Sequence, residues 1–177
     1  MDIGVISVRY ARALLKTSLE LKVDKLVYTD MQILAQSFLQ LPELNRAMEN
    51  PMLQKEQKLH LLTVALGEEA NELSKKFICL VLDARREGIL QFIAHSYLTL
   101  YRRHKNIIRG QLTTAVTVSS SVKLKMKQLI ESRTQGKVEF NSSVDPSLLG
   151  GFVLEYDTYK MDASIKTKLN TIQLQLD

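Results

Sequence analysis

The sequence predicts an α+β fold: an N-terminal six-helix bundle over residues 1–106, then a small mixed α/β C-terminal domain over 107–177. Three observations carry this prediction. Apolar residues recur every three or four positions as far as "YRRHKN". From Ile107 onward β-branched residues crowd into "QLTTAVTV", which has no helical stripe. The remaining order, strand–helix–strand–strand–helix, suits a small mixed sheet with helices on one side.

The first helix covers residues 5–21. The second carries Val27, Met31, Leu34, Phe38 and Leu41 at helical spacing, and Pro42 ends it. A short third helix fits residues 43–49 and closes at Asn50-Pro51. Leu59, Leu62 and Leu66 mark the fourth, with Gly67 as its stop. The fifth runs over 69–86, with Glu68-Glu69 at the end of the helix that favours negative charge. Ile89, Ile93, Tyr97 and Leu100 carry the sixth. Short links between six helices imply a bundle. In the second domain, strands are expected at 111–118, 137–140 and 151–156. A fourth strand, "TYKM", is expected to pair with the third through a turn at Asp157-Thr158. Ser120 or Ser121 caps a helix holding Val122, Met126, Leu129, Ile130 and Arg133, and Gly136 ends it. Asp162 reads as the N-cap of a last helix with Ile165, Leu169, Ile172 and Leu176 on one face.

The 177 residues are 45% hydrophobic, enough for a core, but only 6% aromatic, so the core is expected to be mostly aliphatic. A net charge of +5 permits an anionic partner without demanding one. Cys79 is the only cysteine, which excludes an internal disulfide and any multi-cysteine metal site. The opening residues lack the basic and apolar regions of a secretory leader. No apolar run approaches the roughly 20 residues needed to cross a bilayer.

The chemistry-bearing residues are scattered. His60, His95 and His104 sit on different predicted helices without metal-ligand spacing. The serine run 119–121 reads as a strand end and helix cap, not as a nucleophile. No carboxylate pair stands out as an acid and base, so the chain reads as non-catalytic, with no cofactor. Arg102, Arg103, His104, Lys105 and Arg109 form a basic cluster that fits either phosphate contacts or cations at a helix C-terminus. Lys123, Lys125 and Lys127 fan around their helix and make no single stripe.

Two helices carry more apolar surface than one buried face requires. On the fifth, Leu73, Phe77, Leu80, Val81 and Ala84 suit a core face, and Ile78 and Leu82, beside Cys79, suit a second. On the first, Val8, Ala11, Leu15 and Leu19 form one row, and Ile6, Tyr10, Ala13, Leu14 and Thr17 another. The spare rows fit a groove for an amphipathic partner helix, or burial on two sides in a crowded bundle.

Gly150-Gly151 lacks the Lys-Ser or Lys-Thr of a phosphate loop and precedes a strand, so it reads as a bend. In context it says more. "DPSLLGGFVLEYDTYKMDASIKTKL" resembles the C-terminal signature of the δ subunit family of F-type ATP synthases, which includes the mitochondrial oligomycin-sensitivity-conferring protein. Asp145, Pro146, Gly150, Gly151, Asp162, Ser164, Lys166, Lys168 and Leu169 stand in register with that pattern. "VRYARALL" resembles the family's opening through Tyr10, Ala11, Ala13 and Leu14, and Asn50-Pro51 matches a turn within its bundle. Ala163 replaces the usual Gly, Asp157-Thr158 stands where Gly-Asp is common, and Glu87-Gly88 stands where Gly-Arg is frequent. These departures bear on turns.

The resemblance implies a non-catalytic stator subunit, monomeric and in one copy per complex. Such a subunit links the catalytic head to the peripheral stalk and resists co-rotation during proton-driven ATP synthesis. It implies that the helical domain binds N-terminal helices of the head's α subunits, and the second domain the far end of the b subunits. It also implies a peripheral position on the cytoplasmic face of the bacterial inner membrane, with no direct insertion and no nucleic acid bound. It places a groove between the first and fifth helices, so Ile6, Tyr10, Ala13, Leu14, Thr17, Ile78, Cys79 and Leu82 become the expected partner-binding residues. Gly150, Gly151, Asp162 and Ser164 become structural turn and cap residues. The alternatives are a basic nucleic-acid-binding module, whose binding weakens steeply with salt, and a helical adaptor outside the ATP synthase.

Overall fold

Local signals in the sequence set most helix limits in the computed structural model, which describes residues 3–67, 69–134, 136–156 and 159–176. The chain divides into two units, Met1–Arg103 and His104–Asp177. The first holds α1 (Ile3–Glu20), α2 (Asp24–Gln40), α3 (Pro42–Glu49), α4 (Lys55–Leu66), α5 (Glu72–Asp83) and most of α6 (Leu90–Lys105). A 3-10 turn over Glu87–Ile89 makes a seventh helical segment, where the sequence suggested only a link. Pro42 occupies the first turn of α3, where its missing N–H costs nothing. Gln54 and Gln57 form a reciprocal capping box at the start of α4. Gly67, at φ +87°, closes that helix. The fifth helix starts later than expected. Asn71 is its N-cap, accepting from Leu73 N at 2.9 Å, and Glu72 supplies the first-turn carboxylate. Glu68 lies outside the described residues.

Met31 and Leu34 of α2, Leu62 of α4, Ile78 and Val81 of α5, and Leu90, Ile93 and Tyr97 of α6 are fully buried in this unit. Each such side chain contributes about 1.5–3 kcal/mol relative to exposure. The buried side chains Ser18, Asp30 and Lys58 inside it are paired, as burial requires, whereas Glu87 Oε2 is buried without a hydrogen-bond partner among the described residues. Tyr97 meets Ser18 through their hydroxyls at 3.0 Å. Asp30 of α2 accepts hydrogen bonds from Asn71 N and the Ser74 hydroxyl at the start of α5. Lys58 of α4 donates to the Met48 carbonyl and to Glu87 Oε1, both at 2.7 Å, and so ties the end of α3 to the 3-10 turn. Burial pushes the Glu87 carboxyl up; the Lys58 and backbone hydrogen bonds and nearby cations outweigh it and hold the carboxyl below its usual value.

The second unit is a four-stranded mixed sheet in the order β2-β1-β3-β4, with α7 (Ser120–Thr134) and α8 (Ile165–Leu176), so the protein is α+β. β1 (Ile107–Thr114) runs parallel to β2 (Lys137–Val144) and antiparallel to β3 (Phe152–Tyr156), which pairs with β4 (Tyr159–Asp162). Pleating puts alternate residues on opposite faces. Leu112, Val138, Leu154 and Tyr156 form a core with Ile130 of α7, and Met126 packs against it. Gln111 pairs in register with Asn141 on one side and Glu155 on the other, so the opposite face is polar.

Two strands are displaced from their expected limits. β1 starts at Ile107 and stops at Thr114 instead of spanning 111–118. The Thr114 hydroxyl donates to the Val116 carbonyl at 2.8 Å, and the chain leaves the sheet with Val116 exposed. β2 continues through "NSSV", which has weak strand propensity on its own. Cross-strand bonds from Gln111 and Thr113 to the Ser143 hydroxyl accompany this pairing. The turn expected at Asp157-Thr158 lies outside the described residues.

Candidate partner-binding groove

Two helices in the first unit bury one stripe and leave a second partly open. On α1 the buried positions are Ser7, Ala11, Leu14, Leu15 and Ser18. Ser96 of α6 donates to Ser7 at 3.3 Å, and Ser18 meets Tyr97, so both ends of this stripe are tied to α6. On α5 the buried positions are Ser74, Phe77, Ile78, Val81 and Leu82. The bond from Ser74 to Asp30 turns this stripe toward α2.

A groove of about 530 Å³ lies between the two helices. From α1 it is lined by Ile6, Arg9, Tyr10, Ala13, Leu14 and Thr17, and from α5 by Leu73, Lys76, Phe77 and Leu80, with Arg86 beyond the helix end. Tyr10 and Phe77 meet edge to face across it, with ring centroids 6.4 Å apart. Leu14 and Phe77 are buried at its floor, whereas Leu80 is 54% exposed at its edge. A long apolar trough without catalytic groups can receive an amphipathic helix by packing.

The structure brings together all five candidates from α1. It does not bring the α5 candidates to them. Ile78 and Leu82 are 1% and 5% exposed and belong to the core, and Cys79 is half-buried and absent from the groove lining. Of the row expected in the core, Phe77 and Val81 are buried, but Leu73, Phe77 and Leu80 line the groove, while Ile78 and Leu82 of the second row are in the core. Both rows have helical period, so periodicity does not say which turns inward. Ser74 does, because a serine between apolar positions needs a buried partner and Asp30 supplies one. Arg9, Lys76 and Arg86 were also missed.

In the second unit, Gly151 has φ +75°, and a Cβ there would stand 2.2 Å from the Ala163 carbonyl oxygen. At Gly150 a Cβ would fall 2.4 Å from Ile165 Cδ1, while the Gly150 carbonyl accepts from Ile165 N at 3.0 Å. The two glycines therefore allow the start of α8 to lie against the chain entering β3. The cap of α8 differs from expectation. Ser164 Oγ accepts from Thr167 N at 3.2 Å, so Ser164 is the N-cap. Asp162 lies two residues earlier and accepts from Ser164 N and the Thr167 hydroxyl. The donated Ser164 N–H is the main cause holding the Asp162 carboxyl below its usual pKa. Ile165, Leu169 and Ile172 on α8 are all exposed. The side chain of Leu176 lies outside the described residues.

Of the basic cluster, Arg102 lies 5.6 Å over the Tyr28 ring, which stacks on Tyr101. Among the described residues, no group of three His, Cys, Asp or Glu is placed to hold a metal ion, and no helix is long and apolar enough to cross a membrane.

The profile of the ATP synthase delta (OSCP) subunit family matches residues 6–176. The chain belongs to that family. It is 44% identical to ATP synthase subunit delta of Phocaeicola vulgatus over 176 residues, covering 99% of this chain and 95% of that one. With the same subunit of Parabacteroides distasonis it shares 43% over 176 residues, covering 99% and 98%. Its fold matches a chain in the cryo-EM structure of the Toxoplasma gondii mitochondrial ATP synthase hexamer, with a TM-score of 0.69, 20% identity and 96% of each chain covered. Within the family, the subunit is a non-catalytic part of a membrane-associated complex. This family member contacts both the catalytic head and the peripheral stalk.

Proposed function

We propose that the groove between α1 and α5 receives an N-terminal helix of an α subunit of the catalytic head, and that the second unit receives the C-terminal ends of the b subunits. As a stator subunit the chain joins head to stalk, so that rotor torque does not turn the head. The observation that carries the first contact is the α1–α5 trough, floored by Leu14 and Phe77 and spanned by the Tyr10–Phe77 pair. The exposed row Ile165, Leu169 and Ile172 on α8 supports the second. A stator must hold against torque, and several modest contacts in one complex reach that strength through effective concentration. The family and its bacterial members support a peripheral position on the cytoplasmic face of the bacterial inner membrane.

Tyr10→Asp tests the head contact. A polar group placed at an aromatic anchor is expected to weaken head binding by about 30-fold or more, while the melting profile of the isolated protein stays near that of the parent. The measurement is retention of the head on stalk-bearing membranes at low concentration. Unchanged retention with a folded variant would remove the groove from the head contact.

A further inference from the structure

The cations around the groove differ from three lysines elsewhere in the same unit. Lys55, Lys58 and Lys75 each pair with a carboxylate: Asp83, Glu87 and Glu72. Arg9, Lys76 and Arg86 line the groove, and none of them has a carboxylate partner among the described residues. Among the described residues, no Asp or Glu lines it. Charge continues along α1, where Arg12 and Lys16 follow Arg9 on a neighbouring surface and the described part of the helix holds no acid before Glu20. An apolar floor is thus bordered by positive charge that no described carboxylate neutralises.

We propose that the groove is selective for an acidic amphipathic helix: about three turns long, with its apolar stripe flanked by Asp or Glu. This rests on the reading of the groove as the head contact and specifies the chemistry of the helix it accepts. The length follows from positions 6–17 of α1, which span roughly 17 Å at the helical rise. The apolar floor supplies the area that holds the helix. The cations set which helices are admitted, because a basic flank would meet like charge on both walls. Exposed charges at the edge of an interface act mainly on the association rate and are screened by salt. Arg9, Lys76 and Arg86 are therefore specificity-determining residues, distinct from the apolar anchors.

The test uses the full chain and two synthetic helical peptides of about 18 residues with identical leucine stripes, one flanked by Glu and one by Lys. The Glu peptide is expected to bind about tenfold tighter at low salt, mostly through faster association, with the difference shrinking at about 0.5 M salt. Arg9→Glu combined with Lys76→Glu changes two exposed positions and is expected to keep the fold by circular dichroism. In that variant the preference should reverse. Equal binding of both peptides, or a preference that survives the charge reversal, overturns the selectivity while leaving the groove intact. Absence of binding by either peptide overturns the groove reading as well.

Discussion

Ser74 shows how one small polar side chain orients a helix with two apolar rows. Its hydroxyl reaches the buried Asp30, and the positions one and two turns further on, Ile78, Val81 and Leu82, enter the core with it. Leu80 is left outside. Substituting either row with aspartate therefore has opposite consequences. Ile78→Asp buries an unpaired charge and should cost about 3–5 kcal/mol, enough to unfold the first unit near physiological temperature. Leu80→Asp should shift stability by less than about 1 kcal/mol and instead weaken binding in the groove. Thermal melts beside a binding titration separate the two, and reversed outcomes would place Leu80 in the core and Ile78 at the groove. Tyr97 gives a residue-scale test in pH. Burial pushes its hydroxyl up to about 12, because the charged form is desolvated. A raised pKa means that the folded state keeps its proton longer than the unfolded chain. The associated stability is complete below the unfolded value near ~10 and falls away as pH rises from there toward about 12. Ultraviolet titration of tyrosine ionisation should show a late-titrating component that is lost in Tyr97→Phe. A titration curve unchanged in Tyr97→Phe at high pH would contradict the place of Tyr97 in the core.

At the scale of elements, the sequence was most readable where one local signal had no competitor. Pro42, Gly67 and the spacing from Val27 to Phe38 set α2, α3 and α4 close to their observed limits. Strand limits were less readable, since they depend on the partner strand. "NSSV" joins β2 because β1 lies beside it, and Val116 leaves the sheet despite its branched side chain. The groove was half readable. Tyr10 and Leu14 could be found from the spare row on α1, but the α5 wall depends on Asp30, which lies 44 positions from Ser74 in sequence. The cap of α8 was misplaced by two residues because Asp162 and Ser164 both have oxygens suited to capping, and only geometry distinguishes them. The link between the glycine turn and α8 yields its own prediction. Gly151→Ala puts a Cβ against the Ala163 carbonyl at a backbone angle that alanine disfavours, and should destabilise the second unit by about 2–4 kcal/mol. Chemical denaturation followed by amide exchange in β3 and α8 would register the loss. Unchanged protection there would mean that the turn relaxes without cost.

Across the whole molecule, a subunit with no catalytic residues still has a demanding physical task. It must hold a head and a stalk together under torque, and in the proposed arrangement each of its two units offers apolar surface for one of those contacts: the α1–α5 trough in one and the open row of α8 in the other. Such surfaces are ordinary liabilities in a free protein and become contact area in an assembly. The most direct measurement is a titration of the isotope-labelled full chain with a peptide from the α subunit N-terminus of the same organism, followed by chemical shift. Saturable shifts at Tyr10, Leu14, Phe77 and Leu80, with Ile78 and Leu82 changing far less, are the predicted result. Shifts centred on Ile78 and Leu82, or confined to α8, would contradict the groove as the place where the head is held.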